Sequence, residues 1–140
     1  AKKLLEYDGR SVLGHYVLGS YYLQNDKFHP GGDHLYKAIK LAGQADEEDS
    51  ETALLARFLL GQALASKKYY RAAVQVYVPL LSALERLETQ PLNENTRLGK
   101  LYENFRPGLY LLVAEFLNNL DETDQAIDYY KKASEFPAVE

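Results

Sequence analysis

Apolar side chains recur every three to four residues along most of the chain, the period of an α-helix with one face turned inward. Val12, Leu13, Tyr16, Val17, Tyr21, Tyr22 and Leu23 follow that period and predict a helix over 12–23. Leu54, Leu55, Phe58, Leu59 and Ala63 predict another over 52–65. Further helices are predicted over 69–87, 95–105, 109–120 and 124–136. No stretch alternates apolar and polar positions between hairpin turns, so no sheet is expected and the fold class is all-α.

Polar and backbone-breaking residues separate the periodic stretches. Asn25-Asp26 and then His29-Pro30-Gly31-Gly32-Asp33 predict a turn, or a delayed start of the following helix, because proline lacks an N–H and glycine is permissive. The acidic run over 46–51 suits a helix N-terminus, where the dipole is positive, with Asp49 or Ser50 as its cap. Asn93 or Asn95 is the expected cap after Gln90-Pro91, and Asp121 or Thr123 the expected cap of the last helix. Pro79 and Pro107 sit inside helical pattern, and each is expected to kink or end its helix.

Small residues recur at one spacing. Gly19, Gly31 and Ala38 are 12 and then 7 apart, and Ala114, Ala126 and Ala133 repeat the interval. Gly61, Ala73 and Leu80 do the same, with a large residue in the third place. Two antiparallel helices on a short turn approach closely only where small side chains face each other, with larger neighbours filling the space around them. Those neighbours stand three residues after the first small residue (Tyr22, Leu64, Leu117) and four after the second (Leu35, Tyr77, Tyr130).

The stretches LGSYYLQNDKFHPGGDHLYKAIKLAG, LLGQALASKKYYRAAVQVYVPLL and LVAEFLNNLDETDQAIDYYKKASEFP together resemble the tetratricopeptide repeat family. The third is the nearest in pattern, its Asp-Gln-Ala-Ile-Asp-Tyr-Tyr-Lys-Lys-Ala run reading as the second helix of the motif. The resemblance implies a right-handed superhelical solenoid of antiparallel helix pairs. It divides the chain into repeats at 12–45, 54–87 and 107–140, an extra helical insert at 88–106, and residues 1–11 as the tail of an upstream repeat. On that reading the 140 residues are one repeat domain excised from a longer array. The spacing between equivalent small residues is 42 and then 53, longer than the family's period of about 34.

Composition narrows the chemistry. The chain has no Cys, which excludes disulfides, thiol catalysis and thiolate metal sites, and a net charge of −4, which argues against a nucleic-acid partner. No apolar run approaches the ~18 residues of a membrane span. Nothing in the sequence marks a compartment, and the cytoplasm stands only as the default. His29, Asp33 and His34 form a short polar cluster, read as a turn and not a metal site because no second ligand group accompanies it. His15 is read as structural. The acidic stretches lack the alternation and central glycine of a calcium loop. No nucleophile–base–orienter set and no phosphate loop is present, so neither an enzyme nor a cofactor is expected. The 12 tyrosines are assigned chiefly to packing between helices.

In proteins of this resemblance the first helix of each repeat lines a concave groove for a peptide or partner helix. Carried over position by position, the groove is expected to present Tyr16, Ser20, Leu23 and Gln24, then Phe58, Gln62 and Ser66, then Leu111, Glu115, Asn118 and Asn119. The implied function is a non-catalytic protein–protein interaction scaffold. The alternative is a structural array unit that self-associates or stacks through exposed repeat ends.

Overall fold

The computed structural model describes residues 11–46, 50–88 and 97–135, with the side chains of 87, 88 and 97–106 excepted. In chain order the helices are α1 (Val12–Gln24), α2 (Phe28–Gln44), α3 (Glu51–Ser66), α4 (Tyr70–Glu88), α5 (Arg97–Asn119) and α6 (Thr123–Ser134). No strand occurs among the described residues, and the all-α helical-repeat class expected from the periodicity holds. The expected caps Asp49, Asn93 and Asn95, the upstream tail at 1–10 and the terminal Phe136 lie outside the described residues.

The chain divides into two compact units, Ala1–Lys67 and Lys68–Glu140. In the first, α1 packs antiparallel on α2, and α3 packs on both. Gly19 and Gly31 set the approach of α1 to α2. A Cβ on Gly19 would lie 2.7 Å from Leu35 Cγ and 3.0 Å from the Gly31 carbonyl oxygen. A Cβ on Gly31 would lie 2.8 Å from Leu23 Cγ and 3.2 Å from the Gly19 carbonyl oxygen. Backbone therefore lies against backbone where the spacing of small residues placed the contact. Leu35, Ala38, Ala42, Ala53, Leu54 and Ala56 complete a solvent-free core.

In the second unit α4 packs on α5 and α5 on α6. Phe116 of α5 stacks against Tyr70 and Tyr77 of α4, with ring centroids 5.1 Å and 6.3 Å away. Val113, Ala114, Leu117 and Ala126 are buried beside them. Burial pushes the Tyr77 hydroxyl up to about 12, since the phenolate would have to form out of water.

Two turns share one backbone solution. After α1, Asp26 takes a left-handed conformation (φ 59°); its N–H donates to the Leu23 carbonyl at 3.1 Å and that of Lys27 to the Tyr22 carbonyl at 2.8 Å. After α5, Asp121 (φ 61°) and Glu122 donate in the same way to Asn118 at 3.1 Å and Leu117 at 2.9 Å. This paired closure is the Schellman ending of a helix, and aspartate is among the few side chains that tolerate its left-handed position.

Three expectations are corrected. Pro30 does not delay α2, which begins at Phe28. The proline occupies the first helical turn, where its missing N–H would have had no partner within the helix. Pro79 and Pro107 do not end their helices; α4 and α5 run through them. Each costs about 3 kcal/mol in an open helix, but buried side chains follow immediately: Leu80, Leu81 and Leu84 after Pro79, and Leu109, Tyr110, Val113 and Ala114 after Pro107. The separate helices expected over 95–105 and 109–120 are thus one. Finally, neither Asp121 nor Thr123 caps α6: its N-cap is Glu122, with no side-chain bond, whereas Ser50 caps α3 as expected and Ser11 caps α1.

Candidate functional site

The first unit holds a cavity of about 630 Å³ between the facing sides of α1 and α3. From α1 it takes Tyr16, Ser20, Leu23 and Gln24, and from α3 Leu59, Gln62, Ala63 and Ser66. Asp26 and Phe28 from the α1–α2 turn, with Lys67 beyond α3, complete the lining. The side chains that reach it do so for local reasons. Residues 16, 20, 23 and 24 recur at the three- and four-residue steps of one helical face, and 59, 62, 63 and 66 do the same on α3.

The cavity wall mixes apolar surface with hydrogen-bonding groups, uncharged on α1 and α3 and charged at Asp26 and Lys67 at its end. Leu23, Leu59, Ala63 and the Phe28 ring supply the apolar part. The Ser20 hydroxyl donates to the Tyr16 carbonyl at 2.9 Å and the Ser66 hydroxyl to the Ala63 carbonyl at 2.6 Å. Each hydroxyl thereby spends its proton on its own helix and offers a bare oxygen as acceptor. The amides of Gln24 and Gln62 bring both a donor and an acceptor. The Lys67 ammonium sits over the Phe28 ring, 5.6 Å from its centroid, and fixes that corner by cation–π attraction.

Six of the eleven residues expected in a groove therefore line this one cavity: Tyr16, Ser20, Leu23, Gln24, Gln62 and Ser66. Phe58 lies on α3 outside the lining, and Leu59 and Ala63 stand on the cavity side of that helix instead. Leu111, Glu115, Asn118 and Asn119 belong to α5 in the second unit, where all four are exposed and the Asn119 amide donates back to the Glu115 carbonyl at 2.9 Å. Asp26, Phe28 and Lys67 were missed because they lie outside the periodic helix faces, at helix ends.

The histidines fall elsewhere. His15 of α1 is buried, and its Nδ1 lies 3.0 Å from Nδ1 of His34 on α2. Tyr22 stacks on His34, its ring 5.5 Å away and tilted by 11°. The His34 ring resists protonation: burial is the main cause, followed by His15 and Lys37, with Asp33 pulling the other way. His34 thus partners His15 and not His29 or Asp33. Among the described residues no group of three His, Asp or Glu is placed to hold a metal ion, and no helix is long and apolar enough to cross a membrane.

In the second unit Pro107 to Asn119 and α6 form the counterpart of α1 and α2, closed by the same turn. Residues 107–137 match the family model described as tetratricopeptide repeat. Over those residues the chain is similar to a tetratricopeptide repeat. No curated protein matches the chain. The matched stretch begins at Pro107. Its inner contacts are distinctive. The Tyr110 hydroxyl donates to Glu85 of α4, the Lys132 ammonium lies 3.8 Å from the same carboxylate, and that ammonium sits 5.8 Å and 5.3 Å from the Tyr110 and Tyr129 ring centres. Burial, then Glu85 and Asp128, raises the Tyr129 hydroxyl above its ordinary range.

Proposed function

We propose that the chain is a non-catalytic docking module whose first unit takes an extended segment of a protein partner in the cavity between α1 and α3. The observation that supports this is the composition of that wall. Acceptor oxygens at Ser20 and Ser66 and two side-chain amides suit a peptide backbone, and the leucines and Phe28 suit an apolar side chain of the same segment. Residues 12–45 are, on this reading, a repeat of the same kind as 107–137, since they share its turn and its spacing of small residues.

Selection of peptides from a random display library on the full chain, followed by titration calorimetry, tests the proposal. Gln62→Ala removes one amide from the wall and is expected to weaken a selected peptide roughly fivefold, the worth of about one hydrogen bond, with an unchanged helical circular-dichroism spectrum. Equal affinity for the wild-type, Gln62→Ala and Ser20→Ala chains would move the docking site elsewhere.

A second reading is favoured by α1 itself. Leu13, Val17 and Tyr21 are 54 %, 41 % and 58 % exposed and recur every four residues, an apolar stripe suited to stacking on another copy. Sedimentation coefficients that rise with concentration, and stop doing so in Val17→Lys, are the expected signature of that reading.

A further inference from the structure

We propose that the His15–His34 pair is a proton-operated latch of the α1–α2 hairpin, closed near neutral pH and released by mild acid, and that its release deforms the α1 wall of the cavity. The second half rests on the docking reading above; the first does not.

The geometry of the pair carries the argument. Its ring planes are within 26° of parallel and its centroids 5.2 Å apart, while the two Nδ1 atoms are 3.0 Å apart. The centroid separation exceeds the nitrogen separation by about two ring radii, so the rings meet edge to edge with each Nδ1 on the line to the other. That is the arrangement of an N–H···N hydrogen bond: one Nδ1 carries the proton and the other accepts it. It is not the arrangement of a chelate, in which both lone pairs would converge on a point beside that line. A single charge on the pair leaves the bond intact, since the added proton goes to an outer Nε2. A charge on both rings turns both Nδ1 atoms into donors, and the bond is replaced by two facing N–H groups and a like-charge repulsion at 3.0 Å.

The charges that act on His34 mostly oppose its protonation. α1 contributes no charged side chain, and Tyr22 offers only its ring face to His34. On α2, Lys37 opposes a charge on His34 and Asp33 favours it less strongly. α3, packed on both helices, carries Glu51 and Arg57. The sign follows. His34 holds its proton less well in the folded hairpin than in an open chain, so the folded state is favoured above about pH 6.5 and loses stability as the pH falls below it.

The same chain supplies the control. His15 stands four residues before Gly19, and His34 three after Gly31. Four before Ala114 and three after Ala126 stand Tyr110 and Tyr129, whose rings lie 6.3 Å apart in the matched repeat. One place in the hairpin thus holds a titratable pair in the first unit and an aromatic pair, uncharged in acid, in the second. The latch is one residue from the groove along α1: His15 precedes Tyr16, which lines the cavity and whose carbonyl holds the Ser20 hydroxyl.

The test compares the full-length wild-type chain with the double variant His15→Tyr/His34→Tyr and with His34→Gln. Between pH 7 and pH 5 the wild-type melting temperature is expected to fall by about 3 °C more than that of either variant. Nitrogen-detected spectra of the wild type at pH 7.5 are expected to show one neutral ring protonated at Nδ1 and the other at Nε2. Parallel melting profiles in the wild type and in whichever variant folds at pH 7 overturn the proposal, as does an Nε2–H tautomer on both rings. Stabilisation of the wild type by Zn²⁺ that His34→Gln abolishes overturns it too, because the pair is then a chelate. For the groove, Gln24→Cys in this cysteine-free chain accepts a single environment-sensitive fluorophore. Its emission is expected to shift between pH 7 and pH 5 in the wild-type background and not in the Tyr–Tyr background; no shift in either breaks the link to the cavity. Failure of the chain to bind any peptide bears on the docking proposal alone and leaves the melts and spectra unchanged.

Discussion

The α1–α2 hairpin and the α5–α6 hairpin reach the same turn from different interiors. Both close through a left-handed aspartate, Asp26 or Asp121, and the same pair of carbonyl contacts. Inside, the first is held by two glycines with backbone against backbone; the second has alanines, Ala114 and Ala126, in the corresponding places. At the next contact outward the first has a histidine pair and the second a tyrosine pair under the Glu85–Lys132 charges. The turn and the spacing of small residues define the repeat, and what fills the space between them is free to acquire separate chemistry. The two units should therefore break under different insults.

The largest expected effect is in the first core. Leu35→Ala empties a site with no solvent exposure and is expected to cost about 2–5 kcal/mol in urea unfolding. Gly19→Ala is expected to cost about 1–3 kcal/mol, because the new Cβ would meet Leu35 Cγ at 2.7 Å. In the double variant that clash is gone, and the second change should cost much less than it does alone, leaving only the approach to the Gly31 carbonyl. Additive costs would show that the backbone contact, not Leu35, sets the separation.

In the second hairpin the corresponding insult is Ala126→Leu, at a position 1 % exposed, expected to cost about 1–3 kcal/mol by overpacking. Ala114→Gly, which makes that hairpin resemble the first, should cost only about 1 kcal/mol, the ordinary helix penalty of glycine. An Ala126→Leu chain with wild-type urea stability would remove the small-residue register from this repeat.

How much of this was legible follows from what each signal depends on. Helix periodicity and the spacing of Gly19 and Gly31 are local, and both placed the hairpin. Four of the six α1 and α3 residues that line the cavity as expected, Tyr16, Ser20, Leu23 and Gln24, came from the first helix alone. Phe58, expected beside them, lies outside that lining; its helix is apolar nearly all round, so the pattern does not say which side faces α1. Pro30 was read as a turn or delayed start, and Pro79 and Pro107 as kinks or ends, because a sequence shows the missing N–H but not whether that group would have had a partner, or how much buried surface follows. The His15–His34 contact joins residues 19 apart. It becomes readable only once the glycine pair fixes the register, through the counterpart pair Tyr110 and Tyr129.

Alkali should act where acid does not. Tyr77, held up to about 12 by burial, and Tyr129, raised by burial and its carboxylate neighbours, both lie in the second unit. A phenol harder to ionise in the folded state than in the open chain gives full stability below about pH 10 and loses it as the pH rises through the folded value. Unfolding free energy measured from pH 9 to pH 12 is expected to drop by about 1–2 kcal/mol, with Tyr77→Phe flattening much of the slope. An unchanged slope in Tyr77→Phe would assign the alkaline loss to Tyr129 or to the exposed tyrosines.

The smallest effects test the turns themselves. The second helix of each hairpin starts on a residue with no capping side chain, Lys27 for α2 and Glu122 for α6. The reason is geometric: each is also the last residue of the Schellman closure, its N–H committed to Tyr22 or Leu117. That holds ψ at 80° and 64°, well short of the extended 124° and 154° at which Ser11 and Ser50 accept from the amides three residues on. Serine at either turn is therefore badly aimed at its own helix. Ser50→Ala is expected to cost about 1 kcal/mol, while Lys27→Ser and Glu122→Ser should each gain less than about 0.5 kcal/mol. Glu122→Ser also gives up the 3.1 Å contact with Arg71, an exposed pair worth about 0–1 kcal/mol that further reduces any gain. A gain near 1 kcal/mol at both turns would mean that the closures relax readily, and that the two hairpins share a spacing of small residues and not a rigid turn.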